Sequence, residues 1–501
     1  MRTACLWIAE LPLVAVLRAE PALAGSKLAV VQPAAEGASS RQRVLGATHA
    51  AEGVVAGQTL SEAQALCPDL LVRTASTALV KAAAQAALDA ATSVTPRLEE
   101  QEPGLIFLDV SGLASLLGDD AAVACALLRG CARVGLCAAV GLAEGKIAAL
   151  LAARSAGSGA FKVVLPGEQA AFLAGIPVAQ AEVSGELAAA SRRFGIATLG
   201  ELARLPRKAL AARLGPEGAA LHRIASGHDD SHLVAREQPE RFEEGCELDF
   251  AASTLEPLLF LWKALLDRLC ARLAVRGLAA AELSLLLRLE GGAWDERRIE
   301  LAAPAREVAP LLALLRLEVE ARPPPEGVCA VRLSALPARA VQDQLGLFGP
   351  RTASPAQLSS AVARIAALVG PERVGEPVAP ETHRPNAAAL AKFAPPPAPL
   401  FAAAADPAAL QPISIATRAL RPPRTVDIRC DEDGRPRLVI GEKALGGRVL
   451  ASAGPWRTVA EWWTSAPLSL DSWDLELAGG LLLRASRELD SGAWWIESVY
   501  D

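Results

Sequence analysis

The stretch Ile106-Phe107-Leu108-Asp109-Val110 is a largely apolar run that stops at the turn pair Ser111-Gly112. Such a run predicts a short buried β-strand. Further strand-like runs occur at residues 5–8, 28–31 and 137–142, and helical spacing occurs at residues 61–66, 77–91, 121–134 and 146–156. Because strands and helices alternate up to about residue 165, we predict an α+β domain in this part of the chain.

An acidic pair, Asp119-Asp120, precedes one of these predicted helices. Aspartate is a favoured N-cap residue because its carboxylate accepts hydrogen bonds from N–H groups of the first turn. We therefore interpret the pair as a helix cap, and a catalytic role is the alternative.

The remaining chain divides into blocks with different patterns. Residues 169–226 are helical throughout, with turns expected at Gly195, Gly200, Pro206 and Gly215. Residues 242–333 alternate again and include a long helix at 257–275. The proline-rich stretch 377–423 predicts an extended linker. The segment after it is rich in tryptophan and predicts a small β module with an aromatic core. Its tryptophans are Trp456, Trp462, Trp463, Trp473, Trp494 and Trp495.

Composition and charge restrict the possible functions. The 501 residues have a net charge of −6, whereas a protein that grips duplex DNA through many phosphates is usually basic. The nine cysteines include no Cys-x-x-Cys pair. We therefore expect no zinc site and no disulfides, and a location in the reducing cytoplasm.

Glu10 and Pro12 interrupt the apolar N-terminus, so we expect no signal peptide. No apolar run reaches membrane-spanning length.

Four stretches resemble the Y-family (translesion) DNA polymerases, in the order in which that family carries them. Residues 53–63 resemble the fingers segment G-V-x-x-G-M-P-L-x-x-A, and residues 106–110 resemble the end of the palm motif S-I-D-E-A-Y-L-D-V. Residues 140–146 resemble V-G-I-A-x-N-K, and residues 194–203 resemble the segment L-G-I-x-T-x-G-D-L-A of the thumb helix-hairpin-helix. The resemblance implies a right-hand architecture within an α+β multidomain chain.

The domain boundaries follow from this resemblance and from the composition of the tail. We expect a palm with fingers at 1–168, a thumb at 169–235 and an α+β little finger at 236–340. A clamp-binding peptide at 341–350, a helix and proline-rich linker at 351–424 and a tryptophan-rich β module at 425–501 follow.

The metal site of the family is degenerate in this sequence. In the family, a D-x-D motif near the N-terminus and the D-E pair of the palm motif supply carboxylates for two magnesium ions. The alignment places Ile8 and Glu10 at the first motif, and Gly104 and Leu105 at the second. Asp109 survives at a position that is not a ligand. Because apolar groups cannot coordinate a hard cation, we expect no metal, no cofactor and no polymerase activity.

The nucleotide-binding residues of the family are also replaced. Its Y-E-A-R-x-x-G-V motif holds the triphosphate through the Tyr and the Arg, and these positions are Ala47 and Ala50. The second lysine of N-K-x-x-A-K is Leu150, whereas Lys146 is retained. One lysine in this place could equally be a solvated helix end.

A short candidate binding motif is the pentapeptide Gln344-Leu345-Gly346-Leu347-Phe348. It resembles the bacterial sliding-clamp-binding motif Q-L-x-L-F. In that mode Leu347 and Phe348 fill an apolar pocket while the amide of Gln344 is read by hydrogen bonds, and Leu345 completes the motif. A hydrophobic edge strand or the first turn of a helix is the alternative.

A degenerate Y-family body, an internal clamp motif and a tryptophan-rich tail together resemble the ImuB family. Its members are inactive, UmuC-like polymerase homologues of bacterial mutagenesis cassettes. The resemblance implies a non-catalytic adapter in damage-induced mutagenesis. The implied partners are the β sliding clamp, an error-prone replicative-type DNA polymerase subunit and an ImuA-like (RecA-like) protein. It implies no membrane partner.

Two other functions remain open. An active translesion polymerase could use Glu10, Glu99, Glu100 and Glu102 as substitute ligands. A DNA-binding factor could contact primer-template DNA weakly through the thumb, whose basic residues could equally form a solvated helix face. Those residues are Arg192, Arg193, Arg204, Arg207, Lys208 and Arg213.

Overall fold

The structure is a computed structural model that describes residues 1–33, 42–181, 184–229, 231–235, 240–339, 417–441 and 444–500, with parts of 361–393. It divides into two compact units, residues 1–369 and residues 370–501. The first unit combines helices with sheets, and the second contains a closed β-barrel. The predicted α+β multidomain class with an additional β module is therefore confirmed.

The described residues of the palm and fingers form a series of strands and α-helices. In chain order these are β1 (Arg2–Trp7), α1 (Leu11–Ala19), β2 (Leu28–Val31), β3 (Val44–Ala47), α2 (Leu60–Leu66), β4 (Leu71–Thr74), α3 (Thr77–Thr92), β5 (Leu98–Glu102), β6 (Leu105–Asp109), α4 (Ala114–Leu117), α5 (Asp120–Arg133), β7 (Ala139–Glu144), α6 (Lys146–Ala156) and β8 (Phe161–Val163).

The central sheet of the palm has the order β5-β6-β1-β7-β8. Helices α1, α3 and α5 pack on one face, and α6 together with thumb residues packs on the other. Gly141 on β7 allows α6 to approach, because a Cβ atom there would lie 2.0 Å from the carbonyl oxygen of Ala149. The fingers form a separate sheet of order β3-β2-β4.

The acidic pair before α5 has a structural role. The side chain of Asp119 accepts a hydrogen bond from the N–H of Ala122 at 2.8 Å, and Asp120 forms an ion pair with Arg2 at 2.6 Å. The interpretation as a helix cap is confirmed.

The thumb consists of α7 (Gln169–Ala174), α8 (Gly185–Arg193), α9 (Leu199–Ala203) and α10 (Arg207–Ala225). The predicted turn at Gly200 is wrong, because this glycine lies inside α9. The packing requires glycine here because the residue faces the backbone of α7. A Cβ atom would lie 2.6 Å from the carbonyl oxygen of Ala174. Helix α10 is kinked at Gly215, which has φ 69° and precedes Pro216.

The little finger is a four-stranded antiparallel sheet covered by two helices. Its elements are β9 (Phe242–Ala252), α11 (Leu255–Val275), β10 (Leu278–Leu289), β11 (Trp294–Ala305), α12 (Val308–Ala321) and β12 (Val328–Arg339), with sheet order β11-β10-β12-β9.

A buried ion-pair network joins the little finger to the palm. Glu244 on β9 contacts Arg18 of α1 at 2.8 Å, and Arg272 of α11 contacts Asp89 of α3 at 2.7 Å. Arg272 also contacts Glu244 at 3.2 Å, as does Arg268. Because Arg18, Asp89, Glu244 and Arg272 are almost fully buried, the network fixes the little finger against the helical face of the palm.

The second unit contains β13 (Glu376–Val378), β14 (Ala389–Ala391) and a closed barrel. The barrel strands are β15 (Thr417–Cys430), β16 (Pro436–Ile440), β17 (Gly447–Ala460), β18 (Leu468–Leu477), β19 (Leu482–Glu488) and β20 (Trp494–Tyr500).

The predicted aromatic core of this barrel is only partly correct. Trp473 and Trp494 are buried in it, whereas Trp456, Trp462 and Trp463 are exposed. The barrel also begins at Thr417 rather than near residue 425.

All nine cysteines are free thiols. No helix in the described ranges combines the length and apolar character of a membrane span.

Candidate functional site

The positions that the sequence resemblance predicts for metal ligands lie at or beside the ends of the neighbouring palm strands β1 and β6. The N–H of Ile8 donates a hydrogen bond to the carbonyl oxygen of Gly104 at 2.9 Å, and Trp7 lies opposite Leu105 in the β1–β6 register. Ile8 is 4% exposed and Leu105 is 1% exposed. They belong to the hydrophobic cores on opposite faces of the sheet. Buried hydrocarbon therefore occupies two of the four aligned positions.

Glu10 is directed toward the fingers. Its backbone is left-handed, with φ 49°, and its Oε2 accepts a hydrogen bond from the N–H of Ala47 at 3.2 Å. Gly46 makes room for this carboxylate, because a Cβ atom there would lie 2.6 Å from Oε2. The surviving carboxylate thus contacts one of the degenerate nucleotide-binding positions.

The other carboxylates that could act as substitute metal ligands do not form a cluster with Glu10 in the described residues. Glu99 pairs with Lys146 at 2.6 Å and accepts a hydrogen bond from the N–H of Val234. Burial raises the pKa of Glu100. Within the described residues, no three His, Cys, Asp or Glu side chains could together hold a metal ion. The structure therefore does not gather Glu10, Glu99, Glu100 and Glu102 into a substitute site.

The retained lysine is not a solvated helix end, because only 9% of Lys146 is exposed. Its ammonium group lies 5.6 Å from the centroid of the Phe107 ring, in addition to its contact with Glu99. The position of the second lysine, Leu150, is buried between α6 and the sheet. The ammonium group of Lys146 is thus paired with a carboxylate, and Leu150 has no charge with which to bind a phosphate.

Asp109 has a structural role. Its carboxylate accepts a hydrogen bond from the N–H of Ser111 at 3.0 Å and forms an ion pair with Arg97 at 3.0 Å. It therefore fixes the turn after β6.

The basic residues of the thumb lie on its surface. All six are exposed, and none forms an ion pair with a carboxylate in the described part of the chain. Arg213 lies over the ring of Phe194, with 5.8 Å between the guanidinium carbon and the ring centroid. Arg192, Arg193, Arg204, Arg207 and Lys208 lie in or beside the turns that connect α8, α9 and α10. Arg213 lies further along α10, against the aromatic ring.

The clamp motif lies outside the described residues. Gln344, Leu345, Leu347 and Phe348 fall between Arg339, which ends β12, and the next described residue at 361. Their role stays a prediction.

The sequence did not reveal several of these contacts. The Lys146–Glu99 pair joins residues 47 positions apart, and the Arg18–Glu244 pair joins residues 226 positions apart. No local pattern marks such partners. The sequence pattern also did not predict an apolar groove beside the thumb hairpin. Phe194 and Leu205 each follow an arginine, and this pairing of large apolar and basic residues could have indicated a binding surface.

Restoring a carboxylate at Leu105 is expected to destabilise the palm without creating a metal site. Leu105→Glu would place a charge among hydrocarbon, which should reduce the free energy of unfolding by about 3 kcal/mol or more. Urea unfolding with and without MgCl2 measures this effect, and Leu105→Met is the control, with an expected loss below about 1.5 kcal/mol. A variant that keeps wild-type stability and gains stability from Mg²⁺ contradicts the prediction.

Comparison with known proteins finds similar sequences for much of the chain. Residues 9–154 match the family described as impB/mucB/samB. Protein ImuB of Caulobacter vibrioides is 28% identical over 417 residues, which cover 82% of this chain and 89% of the relative. DNA polymerase IV of Methanoculleus marisnigri is 29% identical over 244 residues, covering 48% of this chain and 67% of the relative.

A solved structure, DinB from Sulfolobus solfataricus, covers 67% of this chain and 99% of its own, with 16% identity and a TM-score of 0.42. The predicted resemblance to ImuB is confirmed by the 417-residue match. The chain is therefore similar to ImuB over most of its length, and its residues 9–154 match the impB/mucB/samB family.

Proposed function

We propose that the protein is a non-catalytic adapter in translesion synthesis and damage-induced mutagenesis. It links the sliding clamp to an error-prone replicative-type polymerase subunit and to an ImuA-like protein. The observation that carries this proposal is the burial of Ile8 and Leu105 at positions where polymerases of this family place carboxylates.

Two-metal nucleotidyl transfer needs several carboxylates around one cavity. The metal ions must lie roughly 3.5–4 Å apart, and the ligands must neutralise their charge. Here Gly104 has no side chain, and its φ of 86° is unfavourable for any other residue. Glu10 instead accepts a hydrogen bond from Ala47. A single carboxylate in such surroundings supports no two-metal mechanism.

Partner contacts are assigned to different parts of the chain. The pentapeptide at residues 344–348 binds the clamp, and the tail beyond it contacts the polymerase subunit and the ImuA-like protein. The thumb arginines make weak local contacts with DNA, since they are exposed and form no ion pair with a described carboxylate. Nine free thiols support a reducing cytoplasm as the location.

An active Y-family polymerase is the second candidate. The observation in its favour is the similarity of the chain to proteins named DNA polymerase IV. This function requires substitute metal ligands and substitute nucleotide-binding residues. The contacts of Glu10 with Ala47 and of Lys146 with Glu99 support neither.

The purified protein is expected to extend no primer. A labelled primer-template is incubated with the full chain, all four nucleotides and either MgCl2 or MnCl2, and product length is measured. We expect no incorporation above a buffer control, because the aligned positions carry one carboxylate instead of four.

The control for contaminating polymerase is Glu10→Ala, which removes the one surviving carboxylate. Template-directed incorporation that disappears in Glu10→Ala would overturn the adapter proposal in favour of catalysis.

A further inference from the structure

The thumb contains a groove between the end of α8, the turn at residues 194–198 and the first turns of α10. The groove encloses about 430 Å³, within the range of roughly 300–1,000 Å³ that is typical of binding sites. Phe194 is 52% exposed and Leu205 is 37% exposed, so the groove opens to solvent. Its apolar lining consists mainly of Phe194, Ile196, Leu205, Pro206, Leu210 and Leu214. We call it the thumb groove.

The walls of the thumb groove are held in place by the fold. The N–H of Leu205 bonds to the carbonyl oxygen of Leu202 at 3.2 Å, and the carbonyl oxygen of Leu205 lies 3.0 Å from Nε2 of His222. The guanidinium of Arg213 covers the ring of Phe194. Because these walls are preformed, a ligand would bind with a small ordering cost.

Positive charge surrounds the groove. Residues 184–214 contain six Lys or Arg residues and two Glu residues, whereas the whole chain has a net charge of −6. Glu201, the acidic residue of the lining, accepts hydrogen bonds from the N–H groups of Ala197 at 2.7 Å and Thr198 at 3.2 Å. Its carboxylate is therefore engaged in capping α9 and also interacts with the charge of Arg204. The other basic residues of the groove region, including Arg213, form no ion pair with a described carboxylate.

We propose that the thumb groove binds an acidic amphipathic segment of a partner protein. Apolar side chains of the segment fill the groove, and its carboxylates pair with Arg213 and the other exposed cations. A helix with apolar residues at positions i, i+4 and i+7 presents such a surface. This binding goes beyond the adapter function proposed above and requires neither the clamp motif nor the tail.

Nucleic acid matches the thumb groove less well. Phosphates would use the cations, but a duplex backbone has no apolar side chain to fill the hydrocarbon lining. Binding of single strands relies on successive aromatic rings on which bases stack. The lining offers one aromatic ring, Phe194. An acidic peptide uses both the lining and the charge.

The test is a fluorescence-anisotropy titration of the full chain. The probe is a labelled peptide of about 18 residues with Leu or Phe at i, i+4 and i+7 and Glu at the exposed positions. Two matched peptides are a permuted sequence of equal composition and a version with Lys in place of Glu. A labelled duplex is titrated in parallel at about 50 mM and about 200 mM salt.

Substitutions in the groove and outside it complete the design. Phe194→Ala and Leu205→Ala shorten the apolar lining, and Arg213→Gln removes a cation. The matched controls are Phe260→Ala on α11, whose side chain is 81% exposed, and Arg306→Gln, an exposed arginine of the little finger. Thermal melts of every variant identify loss of fold, and the two apolar substitutions provide independent evidence.

The proposal predicts that the acidic peptide binds and that Phe194→Ala and Leu205→Ala each weaken it about tenfold. Arg213→Gln should weaken it as well, and the two control variants should not. Failure of the peptide to bind, or equal binding of the permuted peptide, overturns the proposal. The proposal is also overturned if the protein binds the duplex and not the peptide. In that case Phe194→Ala has no effect, and duplex affinity falls about a thousandfold between the two salt concentrations.

Discussion

Replacing Leu347 and Phe348 together by alanine is expected to abolish binding to the sliding clamp while the protein stays folded. In the proposed complex these two side chains fill the apolar pocket of the clamp. Anchors of this kind typically lose about 2 kcal/mol or more each on truncation. A peptide of micromolar affinity has only about 8 kcal/mol of binding free energy. Losing about half of it moves the dissociation constant into the millimolar range.

The measurement is a titration of the purified clamp with wild type and double variant, accompanied by thermal melts of both. Gln344→Ala should weaken binding less, because it removes polar recognition and leaves the apolar anchors. A matched control is the double variant Leu116→Ala/Leu117→Ala on α4, where the side chains are 79% and 40% exposed. Unchanged clamp affinity in the Leu347/Phe348 variant contradicts the assignment. A collapsed melt means that these residues belong to a folded core, in contrast to the expected change below about 0.5 kcal/mol.

Local sequence patterns predicted much of the fold. The run at residues 106–110 forms most of β6, and the predicted long helix is α11, which begins two residues earlier than expected, at Leu255. These elements follow from the spacing of apolar residues, which is a local property. Two of the aligned positions, Ile8 and Gly104, are joined by a backbone hydrogen bond, and their assignment to the metal site stays a prediction.

Long-range contacts could not be predicted in this way. Glu244 is one of several glutamates close together in the sequence, and its burial depends on three arginines that reach it from α1 and α11. The exposed tryptophans are a similar case. A tryptophan on a strand can face the core or the solvent, and Trp473 and Trp456 on neighbouring strands take these opposite environments.

The network around Glu244 has a direct consequence for stability. Glu244→Gln is expected to reduce the free energy of unfolding by about 3–5 kcal/mol, because it leaves the buried guanidinium of Arg18 without a counter-charge and leaves Arg272 with Asp89 alone. Arg18 contacts both oxygens of Glu244, at 3.0 Å and 2.8 Å, and its other described partner is the carbonyl oxygen of Val134. Glutamine keeps the shape of glutamate but turns a neutral amide toward the cations.

Urea unfolding followed by circular dichroism measures the loss, and the same strand provides a control. Glu247 on β9 pairs with Arg288 at 3.5 Å, but its side chain is 68% exposed. Glu247→Gln should therefore change stability by no more than about 1 kcal/mol. Equal effects of the two substitutions would show that the buried network contributes nothing particular to the attachment of the little finger.

The stability difference between wild type and Glu244→Gln should also depend on pH. Burial alone would raise the pKa of Glu244, but the charge and hydrogen bonds of Arg18, with Arg272 and Arg268, outweigh it and lower the pKa. A carboxylate with a lowered pKa stabilises the folded state above its unfolded pKa of about 4.3, and this contribution is lost as the pH falls through the folded value.

Asp89 in the same network has the opposite sign. Burial raises its pKa, and Arg272 only partly offsets that effect, so acidification relieves a cost that Asp89 imposes on the folded state. Because Asp89 is present in both proteins, subtracting their unfolding free energies isolates Glu244 as far as the two sites are independent. The difference should be largest near neutral pH and shrink below about pH 4.3. A difference that stays constant into acid would mean that the carboxylate of Glu244 is not the charged partner of Arg18 in the folded protein.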